Sequence, residues 1–188
     1  MLDGPLGLPL TDFGERLRLK PAGVPSRKQP DGGRPRGMIK PDRKSRSRGF
    51  GEVPGVHAGQ RFHRRTDLRT ARVHLQPGRG IDACRDGARS IVFSGGYVDD
   101  VWDSENPIYT GEGGRDQQGR QVRDQIMVRG NLALRKNMER EIPVRVVRQI
   151  DLGADFTYQY EGLYEVVRVR FESGRDGPKV FRFGLKRA

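Results

Sequence analysis

Residues 162–185, GLYEVVRVRFESGRDGPKVFRFGL, hold two short strand-like runs, GLYEVVRVRF (162–171) and KVFRFGL (179–185), bounded by Gly, Pro and Asp. In the second run Phe181, Phe183 and Leu185 recur at a period of two, as in a strand with one buried face. The first run breaks phase at Val166–Val167, where two apolar side chains adjoin, and this predicts a bulge. Working outward, IPVRVVRQI (142–150), RSIVFSG (89–95) and ARVHL (71–75) have the same β-branched or aromatic character and the same boundaries. The one convincing helix is RGNLALRKNMERE (129–141), with Asn131 as its cap, Leu132, Leu134 and Met138 as apolar positions and Pro143 as its stop. Five or more strands with at most two or three helices predict an α+β, mainly β fold. Its expected form is a closed or nearly closed barrel with flanking helices.

The chain has 188 residues and a formal net charge of +12, enough for one domain plus a tail and a bias towards polyanionic partners. Residues 1–48 carry 12 Lys+Arg against 5 Asp+Glu and seven of the 12 prolines. They read as a basic, Pro/Gly/Arg-rich tail, disordered most plainly over 21–48, because so few apolar side chains cannot offset the entropy of ordering. One or two helical turns on Phe13, Leu17 and Leu19 are expected at 11–20, and the domain is expected to occupy 49–188. The single cysteine, Cys84, excludes a disulfide framework or a thiolate zinc site within one chain. With no apolar run of about 18–20 residues and no basic n-region at the start, the expectation is a soluble intracellular protein without a membrane partner.

Chemistry concentrates in SGGYVDDVWDSENPIYTGEGG (94–114), where Tyr97, Asp100, Tyr109 and Thr110 lie among five glycines. Tyrosines offer π-faces, a carboxylate accepts from an amino group, and glycines admit a close approach of backbone. Together they suit a flat, hydrogen-bonding ring, such as a nucleobase turned out of its stack. Each tyrosine taken alone reads equally well as core.

SGGYVDDV, IYTGEGGRD, RQVRDQIMVRGNLAL and IPVRVVR follow, in order, the pattern of the SRA (SET- and RING-associated, or YDG) family. FGEVPGVHAGQRF extends the resemblance upstream, and YEGLYEVV and KVFRFGLKR extend it downstream, so that it covers roughly residues 50–188. The resemblance implies a twisted β-barrel that binds double-stranded DNA, flips out 5-methylcytosine and holds it between Tyr97 and Tyr109. Asp100 would accept from the cytosine amino group, the Thr110 backbone would read the N3/O2 edge, and Ser94, Gly95 and Gly96 would line the methyl pocket. Asp99 is left with structural duties. A methyl in an apolar pocket gives a modest preference over plain cytosine, on the order of tens-fold.

Two loops penetrate the duplex in this family. One corresponds here to Arg79, Gly80 and Ile81; the other follows GGRD, where Arg120 or Gln121 would fill the vacated stack. The second loop lacks the Asn-Lys-Arg of animal members, which leaves recognition of hemimethylated DNA open. The naming triplet is altered to Tyr160–Glu161–Gly162 and reads as structural. Arg115, Arg123 and Arg129 fall where phosphate contacts are expected, which position without specifying sequence.

No enzyme is expected. His57, His63 and His74 all lie near the domain's start, and no CxxC pair, nucleophile elbow or phosphate-cradling loop is present. The pattern runs to the end of the chain, so a fused HNH nuclease, as in bacterial relatives, is not expected, nor any cofactor. The implied partners are methylated duplex DNA and a separate nuclease or other effector. Two rival readings remain: a non-specific nucleic-acid binder that uses the barrel as scaffold, and the recognition half of a split or truncated SRA-HNH endonuclease.

Overall fold

The structure, a computed structural model, describes residues 49–188. The expectations for the tail, including the turns at 11–20, lie outside the described residues. Seven strands and two helices follow in order: β1 (Arg61–Phe62), α1 (Arg65–Thr70), β2 (Ile81–Ala83), β3 (Ala88–Phe93), β4 (Ile108–Thr110), α2 (Arg129–Arg140), β5 (Val144–Asp151), β6 (Phe156–Ser173) and β7 (Lys179–Arg187).

The strands form one sheet in the order β2-β3-β5-β6-β7-β4, with β1 added to β6. Only β3 and β5 run parallel. Alternation sorts the core into two clusters. Ile91 and Phe93 of β3, Val144 and Val146 of β5, and Phe181, Phe183 and Leu185 of β7 join Leu134 of α2 in one. Val92 and Val147 point the other way, towards Leu68 of α1, Val73, Tyr158 and Tyr160. Strands buried on both faces read as near-continuous apolar runs, which is how β3 and β5 appear in the sequence.

The 18-residue β6 pairs with β5 at its start and with β7 at its end. Its register with β7 shifts between Val166 and Arg168, so the phase break at Val166–Val167 is a bulge. A second shift, opposite Val146/Val147, falls at the Tyr160–Glu161–Gly162 triplet. There Gly162 has φ +107, the Tyr160 hydroxyl donates to Glu52 at 3.0 Å and Glu161 pairs with Arg148 at 2.9 Å. The triplet is therefore built into the scaffold.

Of the two forms expected, closed or nearly closed, the barrel lacks full closure, and one strand expectation is corrected. The sheet is not closed, because no ladder joins its edges β2 and β4 among the described residues. The edges meet through side chains instead: Ile81 and Tyr109 share a core cluster, and Gly80 abuts the Tyr109 hydroxyl. Residues 71–75 are the exit of α1 and not a strand. The N–H groups of Val73 and His74 both donate to the Leu68 carbonyl, and Arg72 turns the chain at φ +59. A short apolar run at a helix exit has the same composition as a strand.

Candidate nucleic-acid site

Three cross-links hold segment 97–101 beside segment 108–113. Val101 and Ile108 exchange backbone hydrogen bonds of 2.9 and 2.8 Å. The Thr110 N–H donates to Asp100 Oδ1 at 2.7 Å, and the Gly113 N–H donates to the Tyr97 hydroxyl at 3.1 Å. Tyr97, Asp100, Tyr109 and Thr110 are thus brought together.

Tyr109 sits on β4 opposite Phe183 and is 3% exposed, its ring edge-on to Phe93 at 5.1 Å. A Cβ at Gly80 would come within 2.5 Å of its hydroxyl, so residue 80 has room only for glycine. Tyr97 is half-buried, with the Arg115 guanidinium 4.6 Å from its ring centroid. Ser94 and Gly96 are half-buried and Gly95 is exposed in a left-handed conformation (φ +66) between β3 and Tyr97.

The adjacent acids differ. Both oxygens of Asp99 accept from the Arg175 N–H, at 3.1 and 3.3 Å, which binds this buried side chain to the β6–β7 turn. Asp100 engages Oδ1 alone, while Oδ2 has no protein hydrogen bond among the described residues. Burial raises its carboxyl to about 6; the Thr110 N–H and Arg115 pull against that rise, and Asp99 adds to it. The buried Thr110 hydroxyl lies close enough to influence the carboxyl but makes no hydrogen bond of proper geometry. The Thr110 N–H is already committed to Asp100, so it is not free to read a ring edge as the resemblance implied.

Neither of the loops that the resemblance implies as DNA-inserting has the apex expected of it. Ile81 is 1% exposed in β2 and packs against Gly130 of α2. The Gly80 carbonyl accepts from the Val92 N–H at 2.8 Å, which draws the chain into the sheet there and leaves Pro77–Arg79 as the exposed apex. The Arg79 carbonyl is bonded by His74 Nε2 at 2.9 Å and Arg65 Nη1 at 3.0 Å. His74 Nδ1 meets Ser90 Oγ at 2.9 Å, and burial pushes the imidazole down to about 4. It is therefore neutral at pH 7, donating from Nε2 and accepting at Nδ1.

In the second loop Arg115 and Gln121 form a bridge, the Asp116 N–H donates to the Arg120 carbonyl at 3.0 Å, and the Gly119 N–H donates to the Asp116 carbonyl at 3.1 Å. The exposed apex is therefore Gln117–Gln118. Arg120 folds back on Asp116 at 3.1 Å, its side chain 74% exposed. Gln121 is buried; its Nε2 donates to the carbonyls of Gly113 and Arg123 at 2.9 and 2.6 Å, which rules it out as a plug. Asp at the first and Gly at the fourth position of DQQG is a turn signature that identifies this apex in the sequence. Arg123 and Arg129 are exposed, as phosphate contacts require, whereas Arg115 is half-buried.

The sequence reading also missed the polar side chains that hold 111–112. Gln125 replaces a strand neighbour, donating to the Gly111 carbonyl at 2.6 Å and accepting from the Phe181 N–H at 2.9 Å. Asn131 is buried, donating to the carbonyls of Glu112 and Ile126 at 2.9 Å each, and does not cap α2. Glu112 serves that end of the helix, accepting the Gly130 N–H at 2.9 Å. The helix ends in a left-handed Glu141 (φ 54), ahead of Pro143.

Among the described residues no His/Cys/Asp/Glu cluster is arranged to hold a metal ion, and no helix is long and apolar enough to cross a membrane.

The SAD/SRA domain family model matches residues 49–188. The histone-lysine N-methyltransferase SUVH6 of Arabidopsis thaliana is 37% identical over 154 residues, covering 73% of this chain and 20% of that protein. The chain thus spans about a fifth of the length of this curated relative. Among solved structures, the SUVH5 SRA complex with methylated CHH DNA is 41% identical, with a TM-score of 0.65 over 74% of this chain and 93% of that one. The modification-dependent TagI restriction endonuclease is 34% identical, with a TM-score of 0.69 over 74% and 52%.

Proposed function

The chain belongs to the SAD/SRA domain family, and on that premise we propose that it reads 5-methylcytosine in duplex DNA by taking the base out of the stack. Tyr97 and Tyr109 wall the ring, each face contributing about 1–3 kcal/mol of stacking, against an unstacking cost of a few kcal/mol. The observation that carries the reading is Asp100: Oδ1 is fixed by the Thr110 amide, and Oδ2 remains to accept from the cytosine amino group. Thymine presents a carbonyl at that edge, and the unmatched buried group costs about 1–3 kcal/mol. Ser94, Gly95 and Gly96 border the methyl group. The apices Pro77–Arg79 and Gln117–Gln118 approach the duplex, with Arg123 and Arg129 on phosphates.

The likeness to SUVH5 SRA bound to methylated DNA and to a modification-dependent endonuclease supports this reading. The chain acts at DNA, in a nucleoid or nucleus, as a bacterial-type recognition module without catalysis of its own. Any cleavage is supplied by a nuclease or other effector acting alongside this domain.

The test is a titration with unmethylated, hemimethylated and fully methylated duplexes at two salt concentrations, on wild type and Asp100→Ala. Wild type is expected to prefer methylated duplex, and the variant to keep only the weak, salt-dependent component that reports phosphate contacts. Equal binding of all three duplexes by wild type, with most affinity lost on deleting residues 1–48, would favour the non-specific binder and overturn the reading.

A further inference from the structure

We propose that Arg115 couples the 115–121 hairpin to the base-stacking ring of Tyr97, so that engagement of DNA by the hairpin and capture of the base occur together. This rests on the reading of the pocket given above. Arg115 was expected on phosphate, yet its guanidinium is half-buried and turned towards the pocket. Its Nε donates to the Gly119 carbonyl at 2.6 Å, across the hairpin from its own backbone. Its Cζ lies 4.6 Å from the Tyr97 ring centroid. Both neighbouring glycines make room for it: a Cβ at Gly119 would come 2.5 Å from Nη2, and one at Gly96 would come 3.2 Å from Nη1.

Arg120, in the same hairpin, is exposed and paired to Asp116; Arg115 has no ion-pair partner among the described residues. Its charge acts on the pocket instead, favouring the ionised forms of Asp100 and Tyr97. Any displacement of Gly119 therefore moves the plane resting on Tyr97. The coupling needs a planar group that stacks and donates from Nε at once, which lysine cannot supply although it keeps the charge.

The experiment compares wild type, Arg115→Lys and Arg115→Gln on methylated duplex carrying 2-aminopurine beside the methylcytosine, whose fluorescence rises when its neighbour leaves the stack. Methyl preference, salt slope and thermal unfolding are read in parallel. Both variants are expected to lose the fluorescence rise and about tenfold in methyl preference, the worth of a stacked cation with its hydrogen bond. Arg115→Lys should keep the wild-type salt slope and melting temperature. If Arg115→Lys matches wild type in fluorescence while Arg115→Gln lowers the salt slope by about one contact, Arg115 is a phosphate ligand and the coupling is refuted. An unfolded Arg115→Lys makes the residue structural, with the same consequence. Failure of wild type itself to extrude the base removes the pocket reading and this inference together, a result distinct from failure of the variants to differ.

Discussion

The loop at 76–80 and the pocket segment at 97–100 are each pinned by one ionisable side chain, the buried His74 in the first and the half-buried Asp100 in the second. His74 has both ring nitrogens engaged, one on Ser90 and one on the Arg79 carbonyl, so its bonding capacity is closed within the protein. Asp100 engages one oxygen and keeps the other open. Asp99, its neighbour, is turned into the scaffold, where its two oxygens share the one Arg175 N–H. A buried polar group with every bond made internally stabilises the scaffold, whereas one with capacity in reserve is available to a ligand. The adjoining aspartates differ in place: Asp99 is buried against the β6–β7 turn, whereas Asp100 is half-buried with one oxygen open.

The largest expected effect tests the closed side of the comparison. His74→Ala leaves the buried Ser90 hydroxyl unpartnered, removes one of two donors from the Arg79 carbonyl and opens a cavity. It should destabilise the domain by about 2–4 kcal/mol in chemical denaturation. A loss below that of an ordinary surface substitution would show that the loop does not depend on this imidazole.

The two groups should also respond to pH in opposite directions. His74 is held near 4, below its unfolded value of 6.5, so its contribution is complete above about 6.5 and is lost as pH falls towards 4. The loss is about 3 kcal/mol at most. Asp100 is held near 6, above its unfolded 3.8, so the fold loses stability as pH rises from about 4 to about 6. Partial exposure reduces that loss to about 1–2 kcal/mol. Asp100→Asn keeps an acceptor for the Thr110 amide and removes the ionisation. It should be more stable than wild type above pH 6, with the gap closing towards pH 4. If thermal unfolding across pH 4–8 shows the two proteins in parallel, the carboxyl is not desolvated. Binding carries the converse sign: the methyl-dependent component needs the carboxylate and should weaken as pH falls through about 6, while Asp99→Asn leaves that component near wild type.

Several elements of this architecture are legible because side-chain period reports them directly. β5, β6, β7 and β3 announce themselves by alternation or continuous apolar runs, and the bulge at Val166 by a break in phase. The tyrosines, Asp100 and Thr110 were reachable through motif order, and the structure brings them to one site. What escaped has no local period. β2 and β4 are three residues each and exist only through partners elsewhere in the chain. Gln125 and Asn137 take the place of strand neighbours for residues 56 and 49 positions away, Phe181 and Ala88. A buried amide that bonds distant backbone looks, in sequence, like any surface amide. The GI pair misled for a related reason, since Ile81 belongs to the strand that the exposed loop feeds.

The smallest effect on stability is expected at the hairpin apex. Gln117 and Gln118 are exposed, and the hairpin is held by Asp116, Arg120 and Gln121 without them. Replacing both by Ala should change the unfolding free energy by no more than about 0.5 kcal/mol. The same double variant should weaken binding to methylated duplex and diminish 2-aminopurine fluorescence, because the apex then has no side chain long enough to occupy the stack. A substitution that leaves stability alone and removes extrusion assigns the apex to DNA. One that leaves both unchanged returns that role to the 76–80 loop, where Arg79 is the exposed side chain and His74 fixes its carbonyl.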